Sequence, residues 1–323
     1  MTNHFRTISF VSALMCTLFM SCSSNDDVTD KWWELPIELD IEWVVNDLEL
    51  ASFFADEATG LGESTMQEAS GLAPSMTNPG YLWSHNDKGN QNLLFLLSAN
   101  TGQTIVRYRL NGINNRDWED IEIGKHDNGE YFIYLAETGD NNRVYTEYKV
   151  FKFKEPVYNP QDSGRIVDLD PELLETVLFN YPEGRKHDVE TLMYDPEYDD
   201  LYLVTKRSFN SIIYAIPSRD TFDEKVEAIY VGEFPFTRAV GGNVSVEGDQ
   251  IVVKTYDRIF YWPRIENEPL WKSFAQPPVM VPYIPGEPQG EAICFDKDGR
   301  NLYTLSEFSN SIIPVLYLYT RIN

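Results

Sequence analysis

Cysteine is almost absent: three in 323 residues, with Cys16 and Cys22 both inside the first 22. Cys294 is left alone, so a disulfide framework is excluded beyond the N-terminus. Its surroundings, Ala292-Ile293-Cys294-Phe295, mark it as a small buried apolar residue. Basic residues are scarce too, 26 Lys and Arg against 51 Asp and Glu, for a net charge of −25. A phosphate backbone would be repelled, which sets nucleic acid aside as a partner. No stretch has amphipathic helical spacing of useful length. There is no Gly-rich phosphate loop, Gly-x-Ser-x-Gly elbow, His-Glu-x-x-His or Cys-x-x-Cys, so the familiar nucleotide, serine-hydrolase and zinc chemistries lose their signatures. Long apolar runs are missing as well. Residues 8–20 are broken by Ser9, Ser12 and Thr17, and about twenty apolar residues are needed to cross a bilayer.

That short run, preceded by Arg6, fits the core of a signal peptide. It ends in Leu18-Phe19-Met20-Ser21-Cys22, which resembles a bacterial lipobox, followed by the acidic Ser23-Ser24-Asn25-Asp26-Asp27. The expectation is a signal peptide over 1–21, a lipid on Cys22, a flexible tether over 22–35 and a folded domain over 36–323. The protein would then be a monomeric outer-membrane lipoprotein of Bacteroidetes type, touching the membrane only through its lipid. Whether it faces the periplasm or the cell surface stays open. An ordinary secretory signal with an incidental cysteine is the alternative.

One phrase recurs along the rest of the chain: an acid or its stand-in opening an apolar strand. Its copies are Glu68-Ala69-Ser70-Gly71-Leu72, Asp117-Trp118-Glu119-Asp120-Ile121, Asp188-Val189-Glu190-Thr191-Leu192, Gly242-Asn243-Val244-Ser245 and Gly290-Glu291-Ala292-Ile293. Each is followed by a second strand ending in polar residues. Repetition at this interval signals a repeat architecture. With 14% aromatic residues and scattered Gly and Pro, the chain reads as many short strands. Series of four such strands predict an all-β fold, a β-propeller of four-stranded blades. The motif count gives five blades, and the long interval between Glu119 and Glu190 leaves six open. The last blade lacks a strand, which the alternating N-terminal segment 37–45 is expected to supply. The fourth blade has a Pro-rich stretch in place of its last strand.

Together these phrases, with Trp83-Ser84-His85-Asn86-Asp87, Gly139-Asp140-Asn141, Thr205-Lys206-Arg207 and Gln289-Gly290-Glu291, resemble an uncharacterised family of secreted bacterial propellers. The resemblance runs from about residue 66 onward and implies the fold and a shared channel, not an activity. That family usually has an acid where this chain has Asn243. More loosely, the arrangement is similar to the calcium-bearing apyrase, lactonase and phytase propellers.

The first strand of each propeller blade lines the channel. Glu68, Glu119, Glu190, Asn243 and Glu291 are therefore expected to converge. Carboxylates held together out of water must be protonated, paired with cations or ligated to metal. Several hard oxygens suit Ca²⁺. His187 and His85 are the candidate general bases, and Arg207, Arg143 and Lys254 the candidate anchors for an anionic group. Three readings of the acids remain: a salt network joining the blades, a metal site with a binding or catalytic role, and a purely structural metal. Two functional classes follow. One is a metal-dependent hydrolase of phosphate esters or lactones, acting on a small anionic molecule. The other is a non-catalytic propeller that displays its loops to a glycan or protein.

Overall fold

The computed structural model describes Met1 and residues 31–126, 128–217, 225–283 and 287–322. The expected signal peptide, Cys22 and most of the tether lie outside those residues. Among the described residues there are strands, turns and five short 3₁₀ segments, and no helix is long and apolar enough to cross a membrane.

Among the described residues, twenty-two strands form five sheets set in a ring. The chain enters through β1 (Thr59–Glu63), then builds the first blade from β2 (Ala69–Pro74), β3 (Tyr81–Asn86), β4 (Leu93–Ser98) and β5 (Thr104–Leu110). The second blade holds β6 (Trp118–Lys125), β7 (Tyr131–Glu137) and β8 (Tyr148–Lys154); after β9 (Ile166–Leu169) it is completed by β10 (Glu175–Asn180). The third comprises β11 (Val189–Asp195), β12 (Asp200–Thr205) and β13 (Ile212–Pro217), with β14 (Lys225–Glu227) preceding its outer strand β15 (Ile229–Glu233). The fourth is β16 (Ala239–Val244), β17 (Gln250–Thr255), β18 (Ile259–Pro263) and β19 (Val279–Val281). The fifth is β20 (Gly290–Phe295), β21 (Leu302–Ser306) and β22 (Val315–Tyr319). Each blade is an antiparallel meander with its first strand innermost.

The long second repeat does not hide a sixth blade. Strand β9 returns to pair in parallel with β5, so blade one borrows a fifth strand from the connection inside blade two. In the same way β14 leaves blade three and pairs in parallel with β10. The Pro-rich stretch of blade four does yield an outer strand, β19, paired with β18.

Ring closure falls on a different segment from the one expected. Strand β1, not residues 37–45, pairs antiparallel with β22 and completes the fifth blade. The alternating apolar residues of 37–45 instead lie over blades three and four. Ile37, Leu39 and Ile41 pack on that core, and Trp43 donates its indole N–H to the Phe274 carbonyl at 2.9 Å. The packed body reaches back to Trp32, which is buried and donates to Asp200 at 2.6 Å.

Five apolar clusters fill the five spaces between neighbouring blades. A blade is covered on both faces, so its middle strands lose the usual alternation of apolar and polar residues. In β12, Leu201 and Leu203 face blade two, while Tyr202 and Val204 face blade four. The fully apolar run that results is what makes the repeats conspicuous in the sequence. Cys294 is one such residue, fully buried between blades five and one.

Candidate metal centre at the channel mouth

Every innermost strand carries a β-bulge at the same height. The register against the second strand slips by one residue at Ser70, Glu119, Glu190, Val240 and Glu291. A bulge re-aims the extra side chain and breaks the two-residue period. Three blades use it to hold a glutamate, and Glu119, Glu190 and Glu291 are each 2% exposed. The bulges also correct the alignment of the other two blades. Glu68 stands two residues before its bulge, exposed at the rim, where its carboxylate takes the Asn90 amide. Asn243 stands three residues after Val240 and lies deeper. It donates to Glu122 at 2.6 Å and accepts the Phe295 N–H at 2.8 Å. Neither occupies the bulge position.

The acids that do gather include several beyond the expected set. One oxygen each from Asp87, Asp117 and Glu119 lie within 4.8 Å of one another, and so do oxygens from Glu119, Asp188 and Glu190. Glu119 belongs to both groups. Asp117 and Asp188 occupy the place two residues before the bulge; Asp87 follows the second strand of blade one. The spacing Asp-x-Glu in blades two and three was the available sequence signal for two of these extra oxygens. Gly139 makes room for them, since a Cβ there would sit 2.0 Å from Glu119 Oε1 and 2.5 Å from Asp117 Cγ.

Cations cover only part of this arc. Lys206 contacts Glu190 in its own blade and reaches Glu291 at 3.0 Å, where the Tyr256 hydroxyl also donates at 2.6 Å. Arg207 Nε lies 2.5 Å from Asp188 Oδ2, and Asp188 Oδ1 accepts the Asp140 N–H at 2.7 Å. Lys88 donates to Asp117 Oδ2 at 2.6 Å. The other oxygen, Asp117 Oδ1, is buried without a partner. Burial first, and then the charges of Glu190, Asp87, Asp117 and Glu291, push the Glu119 carboxyl well above the usual range. Burial likewise raises Asp87 to about 6 and Glu307 to about 8, with Glu291 adding to both. For Lys206, burial lowers the pKa, but Glu190 and Glu291 outweigh it and the ammonium is held charged.

The expected bases stand apart from this cluster. His187 is held among Tyr181 and Tyr214, with Nε2 2.9 Å from the Tyr214 hydroxyl. His85 is fully buried edge-on to Trp118. Burial pushes both imidazoles down to about 4, and neither ring joins the carboxylate groups. Of the expected anion anchors, Arg207 is at the mouth. Arg143 donates to the Arg207 carbonyl at 2.5 Å. Lys254 is fully buried, bonded to the Gly290 carbonyl and 3.6 Å from Glu287, so it is built into the wall. Asp140 accepts Val144 N–H, Tyr145 N–H and the Tyr148 hydroxyl and closes its own turn.

Below the mouth the acids serve the fold. Asp120 accepts the Leu192 N–H at 2.9 Å, and Glu122 accepts the Val244 N–H at 3.1 Å, tying blade two to blades three and four. At this level the blades are joined by carboxylate–amide hydrogen bonds; the ion pairs of the expected salt network lie at the mouth, on Asp117, Glu190, Glu291 and Asp188.

Fold and cluster together define a five-bladed β-propeller with an acidic channel mouth. No protein-family model and no curated protein matches the sequence. Among solved structures, a luciferin-regenerating enzyme is similar over 80% of this chain and 92% of its own, at 12% identity and a TM-score of 0.41. A chain in a mitotic checkpoint complex is similar over 77% of this chain and 60% of its own, at 10% identity and a TM-score of 0.37. The propeller assignment rests on the strand pairing of the chain itself.

Proposed function

We propose that this chain is an envelope lipoprotein of the secreted bacterial propeller family, with a calcium site at its channel mouth that serves hydrolysis of a phosphate ester or a lactone. The observation that carries the metal is the arc of Asp87, Asp117 and Glu119. It brings three carboxylates within 4.8 Å and leaves a buried oxygen of Asp117 without a donor. Hard oxygens from different blades suit Ca²⁺, which accepts irregular sets of six to eight. The second group is less available, because Lys206 and Arg207 already cover Glu190 and Asp188. A cation bound by Asp87, Asp117 and Glu119 would polarise a substrate oxygen. Beside it Arg207, exposed beyond its pair with Asp188, offers positive charge to an anionic group.

One observation favours a second reading. Both histidines lie in aromatic surroundings rather than beside the carboxylates, as a calcium-bearing propeller without catalysis would allow. The test is melting temperature in chelator against excess calcium, together with a turnover screen against phosphate esters and lactones. Calcium-dependent stabilisation with turnover lost in Glu119→Gln supports the enzyme. Stabilisation without turnover leaves the binding propeller, and no calcium effect removes the site.

A further inference from the structure

The position two residues before the bulge is acidic in blades one to three, at Glu68, Asp117 and Asp188, and is Gln289 in blade five. In blade four it is Arg238, and the bulge itself holds Val240. The fourth blade thus carries the opposite charge at this position. Arg238 has left-handed backbone, φ 64°, a conformation uncommon outside glycine, and its N–H donates to the Lys206 carbonyl at 3.1 Å. Its side chain is exposed, and no carboxylate among the described residues pairs with it.

A cleft of about 660 Å³ opens here, lined by Lys206, Arg207, Phe209, Arg238, Tyr256 and Gln289 among others. Lys206 and Tyr256 are the two groups that hold Glu291, so the cleft adjoins the acidic arc. At its rim Phe209 is 95% exposed, the most exposed phenylalanine of the described residues. We propose that this cleft binds an aryl phosphate monoester, with the phosphate on Arg238 and Arg207 and the ring against Phe209. A guanidinium fork matches phosphate oxygens in pairs, and an aromatic wall supplies contact area for a flat ring. Elsewhere the −25 chain repels anions, so saturable anion binding requires a local site. As a binding site the cleft stands without the metal. As the substrate subsite of a hydrolase it rests on the preceding reading.

Calorimetry on the full chain in EDTA, with inorganic phosphate and phenyl phosphate as probes, tests it. Both should bind saturably, phenyl phosphate about tenfold more tightly. Arg238→Gln should weaken both about tenfold, as expected for loss of one charge-assisted pair. Phe209→Ala should abolish the aryl preference and leave phosphate binding intact. Binding by Arg238→Gln equal to wild type, or no saturation by either probe, overturns the site, and equal affinity for the two probes overturns the aryl subsite. The calcium-dependent rise in melting temperature should persist in Arg238→Gln. If it is missing in the wild type while phosphate still binds, the metal reading fails and this one stands.

Discussion

Lys206 of the third blade reaches Glu291 of the fifth at 3.0 Å, across the channel between two blades that share no apolar interface. It also touches Glu190, and both acids are 2% exposed. Removing one member of a buried ion group strands the others and costs about 3 to 5 kcal/mol. Lys206→Met should therefore lower stability by that amount in urea unfolding, and the triple change with Glu190→Gln and Glu291→Gln should recover most of the loss. Failure of the triple variant to recover would show that Lys206 acts through packing alone.

Calcium should stabilise the chain by mass action, about 2.7 kcal/mol at a hundredfold excess over its dissociation constant. Asp117→Asn should lose that response. In chelator the sign reverses. Glu119→Gln relieves repulsion with Glu190, Asp87 and Asp117, and the metal-free variant should melt at or above the wild type. A lower melting temperature for Glu119→Gln in chelator would mean that the charge is compensated within the protein.

The ring was legible in the sequence because two-sided burial writes long apolar strands such as β12, and because Glu119, Glu190 and Glu291 recur in phase. What escaped was the phase itself. A bulge adds one residue to an innermost strand, and alternation cannot say whether Glu68 or Ser70 takes its place. The same limit set Asn243 in the mouth when it lies three residues deeper. The closing strand carries two glycines in five residues, Thr59-Gly60-Leu61-Gly62-Glu63, and so has almost no β signal. Residues 37–45 have a strong one, which instead reflects a half-buried strap over blades three and four. Asp87 joins the carboxylate group only through the folding of the second strand of blade one beside its bulge.

Gly139→Ala separates the site from the fold. The new Cβ would overlap Glu119 Oε1 and Asp117 Cγ, both on side chains that can turn away. Stability should fall by only about 1 kcal/mol, within the usual range for single substitutions, while the calcium response is lost. A retained calcium shift in the melting temperature would place the metal elsewhere.

Protons and calcium should compete for the same carboxylates. Glu307 is raised by burial from 4.5 to about 8, so between those values the folded state binds more protons than the unfolded chain. Stability in chelator therefore gains from this group as pH falls from about 8 to 4.5, by at most about 1.4 kcal/mol per pH unit. Asp87, raised from 3.8 to about 6, acts in the same direction below pH 6. His187 and His85, lowered from 6.5 to about 4, oppose it, because the unfolded chain protonates first and stability is lost as pH drops from 6.5 toward 4. The measurement is unfolding free energy of the wild type and Glu307→Gln from pH 5 to 9 in EDTA, where the wild-type advantage should grow toward acid. With calcium the trend inverts, since the metal needs ionised ligands, and the calcium-induced rise in melting temperature should be larger at pH 8 than at pH 6. A calcium shift independent of pH over that interval would mean that Asp87 and Glu119 are not its ligands.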